Sequence, residues 1–196
     1  MSTKIYNAFI FNNIFDFETL QLKIKEFQEN LLPEIQNYFI LDKLNKMINY
    51  YLNNLADDIC SYFGLGCRNV SKIFVPKDFD LMSLKAGFSK HIEISQHNQY
   101  MNNLDYQRTL YLMNQVPLID IDFVNIVENK SLHSPISCLH VERYETIDDV
   151  NNFIIDEREN IQCIVGKDYL DFGKSQQPTL SDYADNVDTM KFILSI

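Results

Sequence analysis

Glycine and proline are scarce in this sequence, five of each in 196 residues, too few for a linker-rich multidomain chain. None of the five glycines belongs to the clustered fingerprint with which a strand–turn–helix unit cradles a dinucleotide pyrophosphate. No apolar run approaches the ~18 residues that a membrane-spanning helix requires. The start, Met1 to Asn7, carries one cation and lacks the unbroken apolar stretch and small-residue cleavage site of a secretory leader. A cytoplasmic protein without a membrane span is the expectation. The four cysteines include no CxxC pair, and no cysteines and histidines stand at finger-like spacing, so a structural zinc site has no support. The chain is also long enough to do without disulfide staples, and reduced thiols are expected. Positive charge is short as well: 17 Lys and Arg face 27 Asp and Glu, for a net charge of -10, with no basic cluster to offset it locally. That balance repels a phosphate backbone and excludes nucleic acid as an expected partner.

What the chain does have is apolar material, 46% of its residues, enough to bury the core of one domain. Helical spacing runs through Phe17, Leu20, Ile24 and Phe27 up to Pro33, and again from Ile35 through Tyr51 to Asn53-Asn54, so residues 1–54 are expected to be a helical N-terminal segment. Asn54 is placed to cap a further helix with Asp57 and Asp58 in its first turn, a stripe of Leu55, Ile59, Tyr62 and Phe63, and Gly64 as left-handed cap. Strands are expected at Lys72–Val75, Leu118–Phe123 with an extension to Val127, Pro135–Val141, Ile161–Gly166 and Met190–Leu194. Helices are expected after Asn102 or Asn103 up to Pro117, and after Thr146, where Asp149 completes an N-terminal box. This alternation over residues 55–196 predicts an α/β domain.

Cys67 lies in the turn between a helix and a strand, in Gly64-Leu65-Gly66-Cys67-Arg68-Asn69-Val70. A nucleophilic cysteine needs a reachable thiolate beside donors for an oxyanion. Glycines at 64 and 66 let backbone approach a substrate, and N–H groups of the turn at Gly66, Cys67, Arg68 and Asn69 are candidates for the oxyanion contact. Arg68 or Lys72 is close enough in sequence to lower the thiol pKa. Cys60, Cys138 and Cys163 fall on a helix flank and in apolar strands, where cysteine behaves as a small hydrophobe.

The run from Asp57 to Pro76, with Tyr62-Phe63-Gly64-Leu65-Gly66-Cys67-Arg68-Asn69-Val70-Ser71-Lys72 at its centre, resembles the active-site segment of bacterial acyl-CoA reductases, relatives of the fatty-acid reductase of bioluminescence. Tyr111–Asn114, Ser134–Ser137, Ile161–Gly166 and Asp182–Thr189 resemble the same family in the same order, so the likeness covers residues 55–196. The resemblance implies a three-layer catalytic domain like the C-terminal catalytic half of an aldehyde dehydrogenase. It implies reduction of an acyl thioester such as acyl-CoA to an aldehyde with NADPH, through an acyl group carried on Cys67. Ser134 and Pro135 would shape the acyl site.

A full-length member carries a dinucleotide-binding domain ahead of this segment, and the residues before 55 do not read as one. The expectation is a truncated enzyme or one half of a split enzyme, completed by a dinucleotide-binding chain or in a homo-oligomer. The alternatives are a catalytically silent binding or regulatory module on the same scaffold, and a cysteine-dependent acyltransferase or thioesterase without nicotinamide. Asp182, Asp185 and Asp188 stand at three-residue spacing without the central glycine of a calcium loop, and read as a docking surface. Gly173-Lys174-Ser175 is too incomplete for a phosphate loop. His91, His97, His133 and His140 would have to meet Cys67 in space to form a thiol–histidine pair.

Overall fold

A computed structural model describes residues 6–10, 35–166, 168–184 and 187–196. Strand β1 is Tyr6–Ile10 and helix α1 is Ile35–Cys60, followed by β2 at Val70–Pro76. A helical corner holds α2, Lys85–Phe88, between two 3-10 turns, and leads to α3, Asn98–Met113. Strands β3, Ile119–Ile121, and β4, Val124–Glu128, form an antiparallel hairpin. Then come β5 at Cys138–Tyr144, α4 at Ile147–Asp156, β6 at Ile161–Val165 and α5 at Thr189–Leu194.

The six strands make one mixed sheet in the order β3-β4-β5-β2-β1-β6, all parallel except β3. Alternation along β2 and β5 divides their side chains between two cores. Ile73, Val75, Leu139 and Val141 pack with Leu52, Leu55 and Ala56 of α1 and with Leu84 and Phe88. Phe74 turns to the opposite face, where Val150 and Phe153 of α4 cover it, the Phe74 and Phe153 rings meeting edge-on at 5.0 Å. The chain is therefore an α/β protein with helices on both faces of a single sheet.

Of the described residues before 55, Tyr6–Ile10 is a strand and not the helix expected there. β1 sits inside the sheet, in register with Val70–Phe74 on one side and Ile161–Val165 on the other. Both partners are distant in sequence, so no local period announces the strand. The expected helix at Asp16–Leu32 lies outside the described residues. Nor does the chain break at Asn53-Asn54: α1 runs through both without interruption. Asparagine lowers helix propensity by under ~1 kcal/mol, less than the burial of Leu52, Leu55, Ala56 and Ile59 contributes. Strand β5 begins at Cys138 rather than Pro135 and continues to Tyr144. The stretch Met190–Leu194, expected as a strand, is the short helix α5, because Asp188 accepts a hydrogen bond from the Lys191 N–H at 2.9 Å and caps it. At Thr146 the expected capping box is present, and its backbone N–H donates to Asp149 Oδ2 at 2.9 Å.

The contact of α1 with α2 depends on Gly87. A Cβ there would fall 2.2 Å from the carbonyl oxygen of Leu52. Gly87→Ala is therefore expected to push the helices apart and lower stability by about 2 kcal/mol, measured by urea denaturation.

Candidate functional site

Cys67 lies at the end of the sheet where the parallel strands begin, just ahead of β2. The connection from α1 to β2 is held by one side chain. Asn69, buried, donates its amide hydrogens to the carbonyls of Asp58 at 2.9 Å, Ile59 at 3.2 Å and Ser61 at 2.9 Å. Its Oδ1 accepts the N–H of Gly66 at 2.7 Å. These are carbonyls that the end of α1 leaves without helical partners. Between helix and clasp the chain turns through Tyr62, Phe63 and Gly64, all with positive φ. That conformation costs about 1 kcal/mol or more at each non-glycine position. It leaves Tyr62 and Leu65 largely exposed and sets Phe63 against His97, ring centres 4.6 Å apart.

The turn is as expected, and two of its four candidate oxyanion N–H groups are engaged within it: the Gly66 N–H donates to Asn69 Oδ1 at 2.7 Å and the Asn69 N–H to the Gly66 carbonyl at 3.0 Å. Tyr62 and Phe63, expected on the buried stripe of the helix, lie beyond its end. Both neighbouring cations have partners of their own. Arg68 folds inward, 7% exposed, with Nε donating to the Ser175 carbonyl, and Lys72 is buried on the α4 face against Glu142.

Asp58 ties the same region to the chain after β6. Buried at 1% exposure, it accepts the N–H groups of Gly173 at 2.7 Å and Ser175 at 3.0 Å. Burial raises its pKa, while those hydrogen bonds pull in the other direction. Thus Gly173-Lys174-Ser175 is a structural turn.

Among the four cysteines Cys67 alone is exposed. Burial pushes the Cys60 thiol up, and raises Cys138 and Cys163 to about 11 each. The Cys163 thiol contacts the Arg68 carbonyl at 3.9 Å, with Cys67 close enough to add to its upward shift. Ser134 and Pro135 lie half-buried in the loop leading into β5. Because β5 runs parallel to β2, this loop is at the same end of the sheet as Cys67.

Three of the four histidines have hydrogen-bond partners of their own, and His133 stands next to Ser134 in the loop leading into β5. His91 pairs with Asp57 at 2.7 Å, and the His97 ring nitrogen accepts the Tyr100 N–H at 3.3 Å and caps α3. His140 is buried, its Nδ1 2.9 Å from the Ser131 carbonyl. Asp182 accepts the N–H and hydroxyl of Thr179, Asp188 caps α5, and Asp185 lies outside the described residues. Among the described residues no cluster of His, Cys, Asp and Glu is arranged to hold a metal ion, and no helix is long and apolar enough to cross a membrane.

A groove of about 1030 Å³ runs beside β6, the edge of the sheet. Its walls include Arg68, Ile154, Gln162, Cys163, Tyr169 and Asp182. Ile161–Gly166 reads from the sequence as a buried strand. As the edge strand its outer side is partly bridged by Leu170, and only the pairing order reveals that a groove lies there. Arg68 Nη2 is buried and has no hydrogen-bond partner among the described residues. An unsatisfied buried donor of this kind costs on the order of 1–3 kcal/mol.

The glycines at 64, 66, 87 and 173 offer no cradle for the pyrophosphate of a nicotinamide dinucleotide. A pyrophosphate cradle needs glycines whose backbone a phosphate can approach. Four of the five glycines face protein: Gly64 the Ile59 carbonyl, Gly66 the Asn69 amide, Gly87 the Leu52 carbonyl and Gly173 the Asn54 side chain. No family model matches the sequence, and no curated protein matches it.

Proposed function

We propose that Cys67 accepts an acyl group from an acyl thioester such as acyl-CoA, the first half of the acyl-CoA reductase reaction whose family the sequence resembles. The observation that carries this reading is the contrast among the thiols. Cys67 stands exposed on a turn fixed by Asn69, while burial holds Cys60, Cys138 and Cys163 protonated. The Cys67 thiolate attacks the thioester carbonyl, a new C–S bond forms, the old one breaks, and the departing coenzyme A thiolate takes up a proton. The acyl group remains on Cys67. Release as aldehyde would depend on a complementing dinucleotide-binding chain that brings NADPH, since the glycines at 64, 66, 87 and 173 offer no cradle for it. Ser134 and Pro135, at the same end of the sheet, are the proposed substrate-side residues.

A second reading is favoured by the clasp itself. With the Gly66 N–H and the Asn69 amide engaged inside the turn, the scaffold serves as a binding or regulatory module without turnover. Intact-mass spectrometry after incubation with a medium-chain acyl-CoA separates the two. The expected result is one acyl adduct on the wild type and its loss in Cys67→Ser. An unmodified wild type, or an adduct that survives the substitution, overturns the acyl-acceptor reading.

A further inference from the structure

We infer that the groove beside β6 binds an amphiphilic anion, a carboxylate or phosphate group on an apolar chain, with the buried Arg68 guanidinium as its anchor. The inference does not depend on acyl transfer to Cys67. Arg68 is fixed by its Nε bond to the Ser175 carbonyl and is one of the residues that line the groove. Its Nη2 is buried and lacks a partner among the described residues. Asp182, on the same wall, accepts the Thr179 N–H and hydroxyl at 2.7 and 2.9 Å, and Arg68 acts on it through space without a direct hydrogen bond among the described residues. A buried cation with an unsatisfied donor at the wall of a cavity is completed by an anion, and the charge-assisted bond would be among the stronger available to the site.

The remaining lining specifies the rest of the ligand. Ile154, Ile161, Ile164 and Leu170 give the groove an apolar surface, and at its rim the exposed cation of Arg158 stands beside the exposed carboxylate of Glu159. At about 1030 Å³ the space is ample for a chain of eight or so carbons. The net charge of -10 repels anions in general, so retention of one here has to come from the local arginines.

The test is calorimetric titration of the whole chain with octanoate, octyl phosphate, inorganic phosphate and 1-octanol, with amide chemical shifts recorded alongside. None of these probes is a thioester, so the result stands apart from the chemistry of Cys67. Saturable binding of octanoate or octyl phosphate is expected, with the largest shifts at Gln162, Cys163 and Ile164. The tighter of the two identifies the head group. Octanol should bind at least about 10-fold more weakly, as should either anion to Arg68→Gln. Should Arg68→Gln fail to fold, Arg158→Glu, an exposed change, is expected to weaken binding about 3-fold or more. The inference is overturned if neither amphiphile binds, if octanol binds as well as the anions, if the shifts lie away from β6, or if affinity is unchanged in whichever arginine variant folds.

Discussion

Glu142→Gln is expected to destabilise the protein by about 4 kcal/mol at neutral pH, a large effect for a half-buried glutamate. The reason is the partner left behind. Lys72 has no exposed surface, and its ammonium donates to Glu142 Oε2 and to the Lys130 carbonyl while lying 4.9 Å from the centre of the Phe74 ring and 4.5 Å from that of Phe153. Without the carboxylate, the buried cation retains only uncharged acceptors, the Lys130 carbonyl and the amide oxygen left at position 142, with two ring faces and the more distant charge of Glu157. Burial already lowers the Lys72 pKa, and the bond to Glu142 opposes that shift, so the substitution lowers it further. Between the folded-state pKa and the ordinary lysine value, the unfolded chain holds a proton that the folded chain has released, so stability rises with pH across that window. The window begins at lower pH in the variant. Its deficit relative to wild type should therefore shrink as pH is raised toward about 10, as measured by urea denaturation at a series of pH values. A second change, Lys72→Met in the Glu142→Gln background, is expected to recover most of the loss. A deficit independent of pH, or no recovery in the double variant, would refute the account.

Asn69→Ala is expected to cost about 3 kcal/mol, read from the shift of the urea midpoint at unchanged slope. The substitution removes donors to three carbonyls and the acceptor for the Gly66 N–H in a buried setting. Asn69→Asp should do little better, because a carboxylate accepts from Gly66 but cannot donate to the carbonyls of α1. With the clasp gone the turn through Tyr62 and Phe63 loses what holds it in left-handed conformation. Amide exchange at Gly64 to Cys67 should then quicken well before the strands do. Protection of those amides equal to wild type would show that the turn is held by something else.

These two residues also mark the limits of what the sequence makes legible. Gly64, Gly66 and the position of Cys67 between helix and strand announce a tight turn, and the structure has one. That Asn69 reaches back to the end of α1 depends on how helix and strand meet, which local spacing does not encode, and so the sequence offers only its backbone N–H as an oxyanion candidate and gives no sign of the clasp. Lys72 offered a clue that proximity to Cys67 obscured: it shares alternation with Phe74, and a lysine in phase with a buried aromatic strand position needs a partner across the sheet. Thr146 and Asp149 were legible because both halves of the box are local. Met190–Leu194 illustrates the reverse, since a short β-prone run becomes a strand only when another strand is there to pair with it, and Asp188 settles the matter in favour of a helix turn. The groove beside β6 escaped sequence reading because an interior strand and an edge strand carry the same apolar run.

The place of β1 in the sheet has a consequence for biosynthesis. Its two neighbours are β2 and β6, and Tyr6 aligns with Ile161. The first of these strands to leave the ribosome waits for about 155 residues before its last partner appears, an interval of about 10–30 s at ordinary rates of elongation. During that time one full edge of β1 has its backbone groups unsatisfied by the sheet, open to chaperones or to a strand of a neighbouring nascent chain. The yield of native protein should therefore depend on what protects that edge as translation proceeds, even though the finished sheet conceals it.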